Sequence, residues 1–163
     1  MRPLACAMPV EIDRPADGTG EQLRLVIPAE AAAVRQELQA ACDTLLLRSL
    51  SADSRGTAEL VIAEALNNIV EHAYASGEGE IELSLKRTGD KLSVLITDRG
   101  HPMPDGSLPN GRLPEADPAN LPEGGFGWCL IRSLSQDLRY CRSDGRNHLF
   151  FRLDADPVQR QSA

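Results

Sequence analysis

From residue 22 onward the chain changes its hydrophobic period several times, and each change marks an element. Leu23, Leu25 and Ile27 alternate with polar residues until Val26, which predicts a strand over 22–27 that Pro28 ends. Residues 30–50 contain no Gly or Pro, and Val34, Leu38, Ala41, Leu45 and Leu46 form a helical stripe. After a break at Ser51–Ser54, with Asp53 or Ser54 as N-cap, a second helix is expected to run to about Ser76, where Gly77 and Gly79 stop it. Period two returns with Ile81, Leu83 and Leu85, turns at Thr88-Gly89-Asp90, and continues with Leu92, Val94 and Ile96, a β-hairpin. No period survives across 101–123, which holds six of the eleven prolines, and so long an irregular stretch in a compact domain reads as a lid or binding loop. Gly124-Gly125-Phe126-Gly127 closes it and opens a helix carrying Trp128, Leu130, Ile131 and Leu134. Strands at Leu138–Arg142 and His148–Leu153 flank an Asp144-Gly145 turn.

The order β-α-α-β-β-lid-α-β-β predicts an α+β two-layer sandwich, one mixed sheet covered on one face by three helices. One domain is expected over 21–154, with its lid at about 101–124. A loosely attached arm at 1–20 precedes it and a polar, fraying tail at 155–163 follows.

Composition narrows the function. A net charge of −7 over 163 residues argues against nucleic acid as a direct partner, though not against a nucleotide held by backbone N–H groups and a metal. Cys6, Cys42, Cys129 and Cys141 form no C-x-x-C pair and no zinc spacing, so reduced thiols in a cytoplasmic protein are expected. No apolar run reaches the ~20 residues of a membrane span, and Met1–Val10 makes a poor signal peptide.

Three stretches carry chemistry. On the second helix Glu64, Asn67, Asn68, Glu71 and His72 are expected on one arc, opposite Ile62, Ala65, Leu66, Ile69, Val70 and Ala73. Leu60 and Val61 are the apolar intruders on the polar side. That polar face has no Lys or Arg; Asn68 offers a carboxamide oxygen to a hard cation and Glu64, one turn back, a proton acceptor. An acidic solvated face would have the same composition. Asp98-Arg99-Gly100-His101-Pro102 follows a strand, where Asp98 could accept from an exocyclic amino group; an ordinary turn has the same Asp-x-Gly sequence. Gly124–Gly127 before a helix offers N–H groups to an anion, or serves as a hinge for the loop.

This order of motifs resembles the GHKL ATPases, which have the Bergerat ATP-binding fold, and within them the anti-sigma-factor serine/threonine kinases. Glu64-Ala65-x-x-Asn68-x-x-x-His72-Ala73-Tyr74 is similar to that subgroup's N box, Asp98-x-Gly100-x-Pro102 to its first glycine box, and Gly125-x-Gly127 with Leu130-Ile131 to its second. Gly145-x-Asn147-x-Leu149 looks like its last hairpin, and the likeness spans about 22–153. The resemblance implies an ATP- and Mg²⁺-dependent kinase that phosphorylates an anti-anti-sigma (STAS-domain) protein and sequesters a sigma factor. Glu64 would be the general base, Asn68 the Mg²⁺ ligand, and Asp98 the partner of the adenine amino group. Gly100 and Pro102 would line the base pocket, and Gly125, Phe126 and Gly127 would meet the phosphates. His72 would either reach the phosphates or brace the helix end. Relatives of this kind are often homodimers, and the apolar first helix offers a surface for a second copy. Trp128 and Met103-Pro104 depart from the family pattern in and beside the lid. The alternative is a binding module whose nucleotide selects its partner with negligible phosphoryl transfer.

Overall fold

The computed structural model describes residues 21–75, 77–112 and 125–158. The expected arm, residues 113–124 of the lid and the last five residues of the tail lie outside them. The elements are β1 (Gln22–Pro28), α1 (Ala31–Cys42), α2 (Leu45–Arg48), α3 (Ala52–Asn68) with a π-turn at Ile69–Ala73, β2 (Glu80–Thr88), β3 (Lys91–Asp98), α4 (Gly127–Leu134), β4 (Gln136–Ser143) and β5 (Arg146–Asp154).

The strands form one sheet in the order β1-β2-β3-β5-β4, and every neighbouring pair is antiparallel. The two-layer α+β architecture is as expected, but the mixed sheet is not. The helical insert between β1 and β2 brings the chain back along the strand it left, and so does the lid with α4 and β4 between β3 and β5. β3 and β4 do run in the same direction, joined by a crossover through the lid and α4, but β5 lies between them and separates the two, so no parallel pair forms among the described residues. One face of the sheet carries Ile27, Ile81, Leu83, Leu85, Leu92, Val94, Ile96, Leu149, Phe151 and Leu153, all at most 3% exposed, and these meet Val34, Leu38, Leu47, Ile62, Ala65 and Leu66 of the helices. At roughly 25 cal/mol per Å² of apolar surface removed from water, this layer is the main source of stability.

Local chemistry explains where the helices differ from expectation. The first helix divides because Thr44 adopts an extended ψ of 155° and its hydroxyl donates to Ala41 O at 2.6 Å, closing α1 before α2 begins. α3 is capped by Ser51, whose Oγ accepts from Ser54 N at 3.2 Å, leaving Ser54 free to take the Asp156 N–H at 3.1 Å. The chain after β5 is therefore docked where fraying was expected. Ala155 is fully buried, and Leu50 pairs with Pro157 in an isolated bridge. Cys42 and Cys129 are free thiols, whereas Cys141 is disulfide-bonded, against the expectation of four reduced thiols. Among the described residues no helix is long and apolar enough to cross a membrane.

Candidate functional site

The polar side of α3 divides in two. Asn68 and His72 line a cavity of about 430 Å³ between the π-turn, the end of β3, the β4–β5 hairpin and the first turn of α4. Asn67 and Glu71, expected on the same arc, instead line a groove against α1 with Arg35 and Leu38. Each lies about 100° around the helix from its neighbour at the cavity, on the side that α1 occupies. Val61, expected among the polar residues, is fully buried. The arc with chemistry in it narrows to Glu64, Asn68 and His72.

Asp98 ends β3 at the cavity wall, 4% exposed. Its Oδ1 accepts from Gly100 N and from Asn147 Nδ2, both at 2.8 Å. Burial pushes its carboxyl above the usual range, opposed by those two hydrogen bonds and by Arg142 and His148. The Gly100 position has no room for a side chain, since a Cβ there would lie 2.6 Å from Ala73 O. His101 N donates to that same carbonyl at 2.9 Å, so the glycine turn is stitched to the end of the π-turn. Tyr74 adds a second stitch: its hydroxyl accepts from Arg99 N at 2.9 Å and donates to Glu80 O at 3.2 Å.

The start of α4 closes the other end. A Cβ on Gly127 would lie 2.7 Å from Glu64 Oε2 and 3.3 Å from Asn68 Nδ2, so glycine lets the helix N-terminus abut both groups. Among the described residues no side chain caps α4, which leaves its first N–H groups and positive dipole end suited to an anion. Asn68 Nδ2 is buried and has no hydrogen-bond partner among the described residues. Rotating the amide by half a turn brings Oδ1 to that place, an oxygen suited to Mg²⁺. Among the described residues no three acidic, His or Cys side chains cluster as a metal cage. A hard cation here would draw its remaining ligands from phosphate oxygens and water, as Mg²⁺ commonly does.

Of the residues singled out in the sequence, Asn68, His72, Asp98 and Pro102 line the cavity, and Glu64 and Gly127 meet beside Asn68. Gly100 lines an adjoining cleft of about 310 Å³ with Arg99 and Arg142. Gly125 (φ 86°) and Phe126, 47% exposed, stand outside the cavity lining. The cavity also takes in Met103, Pro104, Pro109, Trp128, Tyr140 and Asn147. Trp128 and Met103-Pro104, the departures from the family pattern, are thus part of its wall. Pro109 O accepts from Arg132 Nε at 2.7 Å, which fastens the first part of the loop to α4. Asn147 is opposite Asp98 in the β3–β5 register, a relation that a hairpin motif alone does not reveal.

The family model described as "Histidine kinase-like ATPase domain" matches residues 27–153. The serine/threonine-protein kinase BtrW of Bordetella bronchiseptica is 41% identical over 104 residues, 61% of this chain and 70% of that protein. The serine-protein kinase RsbW of Bacillus mycoides is 28% identical over 131 residues, 77% of this chain and 80% of its own. A crystal structure of RsbU and RsbW domains from Mycobacterium tuberculosis superposes with a TM-score of 0.58 at 17% identity. It covers 87% of this chain, which spans about a third (35%) of that one, and at this identity it bears on the fold alone.

Proposed function

The chain belongs to the histidine kinase-like ATPase family, and from that membership we propose that it is an ATP- and Mg²⁺-dependent protein serine/threonine kinase of a partner-switching system. Its protein substrate is an anti-anti-sigma protein of the STAS type, and the same domain restrains a sigma factor. Asp98 receives the adenine amino group. The γ-phosphate lies toward Gly127 and the N-terminus of α4, and Glu64 takes the proton from the attacking Ser or Thr hydroxyl. Asn68 would hold Mg²⁺ through its carboxamide oxygen, and the ion would supply charge neutralisation at the phosphates. Phosphoryl transfer asks little more of the protein than position and electrostatics.

The observation that carries this reading is the meeting of Glu64 and Gly127 beside Asn68, which lines a cavity that Asp98 also lines. Nucleotide binding alone has no need of a carboxylate beside the metal ligand. Trp128, the single tryptophan, lines the cavity and reports on it. ADP and Mg²⁺-ATP should each change its fluorescence saturably, and Asp98→Asn should weaken both. Glu64→Gln should keep binding and lose phosphoryl transfer to the STAS partner by about 10²–10⁴-fold. If Glu64→Gln phosphorylates as the parent does, the domain is a nucleotide-gated binding module instead.

A further inference from the structure

Asp98 is gripped from one side. Both donors, Gly100 N and Asn147 Nδ2, converge on Oδ1, and no protein donor is bonded to Oδ2 among the described residues. The orientation of the Asn147 amide is itself determined. Its Oδ1 accepts from Arg142 Nη1 at 2.6 Å and from the Tyr140 hydroxyl at 2.8 Å. A guanidinium has no acceptor, so Oδ1 must face Arg142 and Nδ2 must face Asp98. Met103 N donates to the Tyr140 oxygen at 3.0 Å, which leaves the phenolic hydrogen for Asn147. Nδ2 also reaches His101 O at 3.1 Å and Gly100 O at 3.4 Å, so Asn147 has no donor left for a ligand. At 4% exposure, it is sealed into this arrangement.

We propose that Asn147 is the positioning residue that makes Asp98 a one-sided acceptor, and that it thereby sets a preference for 6-aminopurine over 6-oxopurine nucleotides. The proposal rests on reading the cavity as a nucleotide site. With Oδ1 saturated, the carboxylate presents Oδ2 as a fixed acceptor; a 6-amino group donates to it, while a 6-oxo group would set an acceptor against it. Asn147 acts through Asp98 and makes no bond to the base. Without it, Asp98 could turn, and either rotamer would serve the base poorly.

Calorimetry with ADP and GDP on the full chain tests this in parent, Asn147→Asp, Tyr140→Phe and Asp98→Asn proteins. The parent should prefer ADP by at least about 100-fold. Asn147→Asp keeps the size of the side chain but sets a second carboxylate beside Asp98, which the chain already surrounds with Arg142, His148, Tyr74 and His101. Its ADP affinity should fall about tenfold near neutral pH and recover from about pH 8 to pH 6, as one proton shared by the two carboxyls restores a donor to Asp98. The parent should show no such recovery, and a merely structural role would not create it. Tyr140→Phe removes one of the two groups that orient the amide. It should narrow the ADP-to-GDP ratio several-fold, and it decides the matter if Asn147→Asp fails to fold. Parent-like ratios and pH trends in the Asn147 and Tyr140 variants, with binding lost in Asp98→Asn, would overturn this inference alone. A parent protein that binds neither nucleotide would overturn the nucleotide reading along with it.

Discussion

Gly127 and Glu64 come so close that position 127 has no space for a methyl group: its Cβ would lie 2.7 Å from the Glu64 carboxylate. The atom in the way is the end of a flexible side chain, so Gly127→Ala should fold with its stability within about 0.5 kcal/mol of the parent. Glu64 must move aside, and a displaced base is costly to phosphoryl transfer. Activity should drop by about 10²-fold while ADP affinity, read from Trp128, changes little.

Asp98 sets two opposed pH trends. Its carboxyl titrates above its ordinary 3.8 when folded, chiefly through burial, so between 3.8 and the raised value the folded chain binds more protons than the unfolded one. Stability from this group therefore rises as pH falls through the window and declines as pH rises. Nucleotide affinity should go the other way, because protonation takes the acceptor from the base. Melting temperature and ADP titration at a series of acidic pH values should diverge in the parent, and Asp98→Asn should remove the contribution from both.

Two glycines with ordinary backbone angles should respond oppositely to alanine. At Gly100 the obstacle is the backbone and Cβ of Ala73, which have no freedom to retreat. Gly100→Ala should cost about 1–3 kcal/mol and weaken ADP binding. Gly56 lies within α3 with nothing within 4 Å of its Cβ position, and Gly56→Ala should add about 0.5–1 kcal/mol without changing affinity. Denaturant midpoints separate the two.

Arg132 fastens Pro109 to α4 through one hydrogen bond. Arg132→Met keeps the aliphatic stem and removes that tie. Nucleotide should leave several-fold faster in stopped-flow fluorescence, with the melting temperature unchanged.

The sheet was legible where one face is buried, because alternation across 81–96 reports burial directly, whereas in β5 Phe150 is buried on the face opposite Leu149 and Phe151. The pairing directions were not, since alternation is the same for parallel and antiparallel partners. The helix break at Thr44 depends on a hydroxyl bonding its own backbone within a run of good helix formers, which composition conceals. The polar arc of α3 is narrower than its periodicity predicts, because periodicity indicates which residues avoid the core but not which neighbour they meet instead. Asn67 and Glu71 meet α1; Asn68 and His72 meet the cavity. Asp98 stands out in the sequence by its place after a strand, whereas Asn147, 49 residues later, joins it only through the β3–β5 register.

That register also dictates when the pocket can exist. β5 is the last strand to be made, yet it is inserted between β3 and β4 and supplies Asn147 and Leu149 to the cavity wall. A nascent chain that has emerged only through β4 holds the antiparallel β1-β2-β3 sheet, a lone strand without a partner, and Asp98 without its clamp. The ribosome thus delivers every other part of the pocket before the strand that completes it, and ligand cannot guide folding until translation has passed residue 149. Synthesis on stalled ribosomes of increasing length should therefore acquire nucleotide binding in one late step.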